Sequence, residues 1–462
     1  MLSAKNWDAG GVGMEGVGAS RMAIAHNSWS MRALMQGGPS RCHRCRPGVS
    51  HAMHCPFGQS HPIRVPQGWG MSTIEVRLGE ASVFIESGVF TALLDASVAS
   101  SRAPYLHALE TSRIKFGELV QLARIADIPY VLFFAPRETV DDQLKKKSDK
   151  LLAGVSKDAF SLNSRSQVRL ADVELIVKDL LRKQETLKRL DRSLTANKVV
   201  GCLRRSRALV EDDARLLSAA LGFTSNDLKT CRTKSLALEL LISRFEARQI
   251  LVAQSQQNFM PQRLPQHAKF SGLCVRDKKI PFIFLTSGDA GENFEPEGRR
   301  VFTLVLLAVF VAHAKFAPVT YSDRSADPIT SREYELTEEI LMPRSEVQDL
   351  RVSGLDDIRA PADTHRVTPS AFVMRARRLG LIDRVEAEDH LSELAREFAA
   401  RPKRQARSPL AVNALRKYNG VEFSQRMLNQ LDRGSISRGE FCRVVLQNKI
   451  KPEQIHQFRE AL

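Results

Sequence analysis

Residues 299–344 read RRVFTLVLLAVFVAH (299–313), AKFAPVTYSDRSADPIT (314–330) and SREYELTEEILMPR (331–344). The first part predicts a helix that is apolar all round, carrying Phe302, Leu304, Val305, Leu306, Leu307, Val309, Phe310 and Val311. A helix with no polar face is normally buried inside a protein. A membrane span would need ~20 apolar residues. This run is shorter and lies between Arg299-Arg300 and His313-Lys315. The stretch therefore predicts a core helix around which the rest of the fold is built.

Working outward, LALELLISRFEARQILVAQS (236–255) reads as a helix running into a strand at Ile250–Ala253. FSGLCVRDKKIPFIFLTS (270–287) reads as two strands, Phe270–Val275 and Ile280–Leu285, joined by a turn at Asp277-Lys278-Lys279. Gly288, Asp289 and Gly291 mark a loop that delivers the chain to the central helix. A small twisted sheet is thus expected to pack on that helix. Past Pro343, DTHRVTPSAFVMRARRLGLID (363–383) predicts a helix capped by Thr368 or Ser370 and ended by Gly380.

The motifs in this region resemble the ImmA/IrrE family of zinc metallopeptidases. That family reads R-x-FTL-x-HExxH, then E-x-x-AN-x-FA-x-x-LLMP, with a later R-x-x-x-LGLI. This chain keeps Arg300, Phe302, Thr303, Leu304 and Glu339-Ile340-Leu341-Met342-Pro343. The HExxH window falls on Leu306-Leu307-Ala308-Val309-Phe310. The resemblance places the two zinc histidines on Leu306 and Phe310 and the general base on Leu307. The third ligand falls on Thr330, with Glu333 the nearest displaced carboxylate. HExxH works because imidazoles four residues apart share a helix face and hold zinc while the glutamate activates its water. Leucine and phenylalanine ligate nothing. The resemblance covers roughly residues 72–462 and is firmest over 235–383.

The resemblance implies an α+β, mostly helical chain. Its zincin-like central domain would be a small twisted sheet on a buried helix, flanked by helical N- and C-terminal regions. It also implies a pseudoenzyme with no catalytic residue and no cofactor, since zinc has lost its ligands. Such a copy is expected to act as a regulatory or protein-binding factor in transcription or mobile-element biology. Its partner would be a repressor or antitoxin-like regulator. The groove beside strand 280–285, with Ile280, Phe282 and Phe284, is the expected seat of an extended peptide. Two alternatives stand beside this reading: a DNA-binding regulator acting through residues 71–136, and an active zinc metallopeptidase with non-standard ligands. A displaced metal site would have to draw on His313, Glu333, Glu335 or His365. Another candidate uses Cys42 and Cys45 with Cys55, whose residue types suit zinc although a second CxxC is missing.

The remaining segments set the domain plan. Residues 1–70 hold all three tryptophans, many glycines and methionines and almost no acid, so a disordered stretch or a mis-called start before Met71 is expected. Residues 71–136 are expected to form a small helical module, either a packing domain or one similar to a helix-turn-helix, its clearest helix within 116–128 and ended by Ile128-Pro129. Residues 137–234 read as a polar linker followed by amphipathic helices, one capped by Gly222. The metallopeptidase-derived domain spans 235–383, and helices fill 384–462.

Across the 462 residues, 43% are hydrophobic, 26% are charged and the formal net charge is +16. The length predicts more than one core, and the positive balance is compatible with nucleic-acid contact. Seven scattered cysteines form no disulfide framework, which points to reduced thiols and a cytoplasmic location. No membrane contact is expected.

Overall fold

The computed structural model describes residues 73–95, 97–152, 170–264, 270–287, 295–320, 329, 331–400 and 409–462. The chain divides into two units, Met1–Gly68 and Trp69–Leu462, and every described residue belongs to the second. The expectation for residues 1–70 lies outside the described residues. The second unit is α+β and mostly helical.

In chain order it begins with β1 (Thr73–Leu78), β2 (Ala81–Glu86), α1 (Ser87–Asp95), α2 (Ala103–Thr111), β3 (Arg113–Lys115), α3 (Phe116–Ile125) and α4 (Arg137–Leu152). The middle holds α5 (Leu170–Leu190), α6 (Val210–Leu221), α7 (Ser225–Thr230), α8 (Lys234–Glu246), β4 (Leu251–Gln254), β5 (Phe270–Val275) and β6 (Phe282–Leu285). Then come α9 (Glu297–Ala312), β7 (Pro318–Thr320), α10 (Arg332–Leu341), α11 (Arg344–Val347), α12 (Leu355–Thr364) and α13 (Pro369–Leu379). The last helices are α14 (Arg384–Ala400), α15 (Ala411–Asn419), α16 (Val421–Asp432), α17 (Arg438–Val444) and α18 (Ile455–Glu460).

Residues 73–136 differ from the all-helical module expected. β1 and β2 form an antiparallel hairpin, and β3 runs parallel beside β1. The sequence explains it: TIEVRL and ASVFIE place Ile74, Val76 and Ile85 on one face, and those three are buried. Gly79 takes a positive φ of 63° in the two-residue turn, the backbone that a tight hairpin asks of its first turn residue. Phe90, Leu94, Tyr105, Leu119 and Phe133 complete this small core. The expected linker after Pro136 is the helix α4. Val140 anchors it in that core, while Lys145 and Lys146 are exposed, so it is a solvated helix.

The main sheet has the order β4-β6-β5-β7, with β4 parallel to β6 and β5 antiparallel to both its neighbours. Every residue of β5 and β6 is buried. Unbroken apolar strands of this kind need cover on both faces. One face, with Val252, Cys274, Ile283 and Leu285, packs on α8, α9 and α10. The other, with Leu251, Ala253, Leu273, Phe282 and Phe284, packs on α5 and the helices from α15 onward. The sheet is therefore a middle layer. Helices expected in the flanking 137–234 and 384–462 blocks close its second face.

Two close approaches fix the layers. A Cβ on Gly272 would stand 2.6 Å from the Phe284 carbonyl oxygen and 2.9 Å from Leu307 Cδ1. Gly272→Ala should therefore destabilise the fold by about 1–3 kcal/mol through overpacking, read as a lowered midpoint in urea. In the β5–β6 turn, Asp277 Oδ1 accepts from the backbone N–H of Lys279 (2.7 Å) and Ile280 (3.0 Å). Elsewhere the expected caps hold: Gly222 and Gly380 are left-handed, and Thr368, the first of the two candidates, accepts from Ala371 N.

Candidate functional site

The site where the family resemblance would place catalysis lies on α9. Its N-terminal end is tied to the sheet by Arg300. Nε donates to the Thr286 carbonyl (3.1 Å) and a terminal nitrogen to Gln254 Oε1 (2.6 Å). From there the helix runs between α8 and α10 over β5 and β6. Leu306 is 1% exposed and Leu307 is 0% exposed, both inside the larger core. Phe310 is half-buried and packs against the same core. Phe302 and Tyr334 bring α9 and α10 together, ring centroids 6.2 Å apart.

Glu333, in the first turn of α10, is buried and makes an ion pair with Lys315 Nζ. Burial pushes its carboxyl up, but the hydrogen bond from Lys315 and the charges of Lys315 and His313 outweigh this and hold it below the usual carboxylate range. The nearest displaced carboxylate is thus already neutralised by an ammonium. His313 ends α9, its backbone N–H donating to Val309 O and its Nδ1 lying 3.0 Å from the same oxygen. The other substitute ligands are dispersed. His365 sits buried with Nδ1 3.0 Å from the Leu341 carbonyl, and Glu335 pairs with Arg378 at 3.3 Å.

Among the described residues no group of three His, Cys, Asp or Glu side chains could hold a metal ion. Thr330, Cys42, Cys45 and Cys55 lie outside the described residues. The side chains at the described zinc and base positions do not fit zinc. Cys274 is buried in the sheet, and burial pushes its thiol up to about 12.

The expected peptide seat is corrected. Ile280, Phe282 and Phe284 are each 0% exposed. β6 is hydrogen-bonded to β4 on one side and β5 on the other, so it offers no free edge. The sequence showed an apolar strand but not its place in the sheet order, which depends on partners far along the chain.

The residues that carry the family resemblance have structural work. Arg375, buried at 3% exposure, pairs with Glu339 and donates Nε to the Met342 carbonyl at 3.1 Å. It joins the segment 375–382 to the segment 339–343. Arg378 adds Glu338 at 2.7 Å. Sequence reading gave these residues no role, because the partners lie on separate helices.

One buried carboxylate was missed altogether. Glu246, at the end of α8, accepts from the backbone N–H of Val252 (3.4 Å) and of Glu422 (3.2 Å), joining the sheet to α16. Burial pushes it up to about 7, against the pull of those N–H groups and with help from the Glu422 charge. Its folded value is raised, so its stabilising contribution is complete below about pH 4.5 and is lost as pH rises through 7. Between pH 5 and pH 8 the wild type should lose on the order of 2 kcal/mol relative to Glu246→Gln. Urea unfolding of both proteins at the two pH values measures the difference.

Comparison of the chain with family models, with curated proteins and with solved structures finds no match. Among the described residues no helix is long and apolar enough to cross a membrane.

Proposed function

We propose that the chain is a catalytically inactive, zincin-like relative of the ImmA/IrrE metallopeptidases that works as a regulatory, protein-binding factor. One observation carries the reading. Leu306 and Leu307, at a zinc position and the base position of the motif, are interior side chains of a helix that the sheet and two further helices enclose. The mixed sheet, the long helix on it and a second helix bearing Glu333 are consistent with the zincin-like layout. Arg300, Glu339 and Arg375 act as struts for that layout, which accounts for the motif surviving without the chemistry. A polypeptide scaffold that keeps its frame and lacks a Lewis acid can hold a partner but has no activated water with which to cut it.

The expected partner is a repressor or antitoxin-like regulator. The full chain should form a stable complex with a transcription regulator encoded beside its own gene, in the presence of a zinc chelator. Intact-mass measurement should show that regulator uncut after prolonged incubation, with or without added zinc. A zinc-dependent cleavage product would overturn the proposal.

A further inference from the structure

The positive charge of this chain is unevenly placed. Residues 73–136, where a DNA reader was one expectation, contain five lysines and arginines against seven acids. Another part of the surface is different. β5 ends, β6 begins and β4 begins at the same end of the main sheet. There the turn 276–279 meets the loop 192–198 and the bend at 248–249. Asn197 N donates to the Lys278 carbonyl (2.9 Å), and its side-chain amide donates to the Arg248 carbonyl (2.8 Å). Gln249 Nε2 donates to the carbonyls of Thr195 (3.1 Å) and Lys279 (3.2 Å). Three separate segments are thereby locked into one rim.

The rim carries Arg192, Lys198, Arg248, Arg276, Lys278 and Lys279, all exposed. Elsewhere on the surface cations commonly face acids, as in Arg359–Glu397, Arg384–Glu388 and Arg459–Asp432. None of the six rim side chains has a carboxylate partner among the described residues. The acids nearby are already engaged: Asp277 with Lys188 at 2.5 Å and Asp191 with Arg426 at 2.7 Å. Next along, Arg204 and Arg205 are exposed on a turn fixed to the end of α9, with Gly201 N donating to Val311 O (3.1 Å) and Leu203 N to Ala312 O (2.9 Å).

We infer that this rim is a nucleic-acid docking surface, binding the phosphate backbone of duplex DNA without reading its bases. Unneutralised cations gathered on loops that are tethered to one another can pair with backbone phosphates, and neutralising each phosphate releases counterions. No exposed large hydrophobic side chain lies in the segments 192–198, 248–249 or 276–279. The rim therefore offers nothing to insert into a bilayer and no apolar anchor for a protein partner. The inference is independent of the protein-binding proposal, since none of the rim cations lies on α9.

The test uses the full chain and a fluorescent mixed-sequence duplex, titrated between about 50 and 200 mM salt. Three variants are compared: K278E/K279E and R192E/K198E on the rim, and R384E/R396E on α14. All three change net charge equally, and thermal melts confirm that each is folded. Wild type should bind with a steep salt dependence. Each rim variant should lose about 1.8 from the slope of log affinity against log salt, and on the order of tenfold or more in affinity at 0.1 M. The α14 variant should stay close to wild type. The inference is overturned if wild type shows no salt-dependent binding. It is equally overturned if rim and α14 variants lose affinity alike, or if the chain binds phosphatidylserine–phosphatidylcholine vesicles and not the duplex.

Discussion

Introducing an HExxH motif into α9 with L306H/L307E/F310H should abolish folding and yield no zinc enzyme. Leu307 is completely enclosed, and its Cδ1 already lies against the close approach at Gly272. A glutamate there would be a buried carboxylate with no partner, and ionised groups leave water only at a cost of several kcal/mol. Removing the leucine side chain alone, as Leu307→Ala, should cost about 3–5 kcal/mol through lost burial and the cavity left behind. The triple variant adds the polar cost to that loss. The sum rivals the ~5–15 kcal/mol that holds a typical domain together. Soluble yield, far-ultraviolet circular dichroism and the urea midpoint measure the outcome. A folded triple variant would mean that the helix faces space the structure does not show.

The second large effect lies on the opposite face of the sheet. Lys183 of α5 is 0% exposed, with Nζ 2.9 Å from Asp179 Oδ2 and 3.9 Å from the centroid of the Tyr418 ring. Tyr418 in turn donates its hydroxyl to Asp179 Oδ2 at 2.7 Å. Burial pushes the Lys183 ammonium down, with Asp179 opposing it. Asp179 Oδ2 thus faces both the Lys183 ammonium and the Tyr418 hydroxyl, and the hydrogen bond to Tyr418 ties α5 to α15. Lys183→Met should cost about 3–5 kcal/mol, because it leaves a carboxylate without its cation. Removing both charges while keeping an acceptor for the Tyr418 hydroxyl, in D179N/K183M, should recover much of that loss, since no buried charge is then left without its counterion. Urea unfolding of the three proteins gives the coupling. If the double variant were no more stable than K183M, the buried pair would not be the cause.

How much of this was legible in the sequence follows from the range over which each signal acts. The central helix, β4 to β6 and the caps at Gly222 and Gly380 are local events, written as apolar runs or as one residue in a special backbone state. They were expected within a few residues of where they lie. The hairpin at 73–86 was written in a period of two, but it was absorbed into a helical expectation set by the stronger pattern near Phe116. Sheet order was not legible. That β6 is interior depends on β4 and β5 arriving from either side, and this removed the expected peptide edge at Ile280, Phe282 and Phe284. The second cover of the sheet was hidden for the same reason: α5 and the helices from α15 onward meet the strands from opposite ends of the sequence. In the candidate site, the apolar side chains at 306, 307 and 310 could be read directly. The pairing of Glu333 with Lys315, and of Glu339 with Arg375, could not, because nothing at 18 or 36 residues' separation marks a charge pair.

We propose that α9 is a core helix that carries no metal chemistry. The most direct test is the metal content of the full chain, purified without added metal and again after dialysis against zinc, for wild type and Glu333→Ala. The account predicts well below one zinc per chain in all four samples. One zinc per chain in wild type, lost in Glu333→Ala, would contradict it.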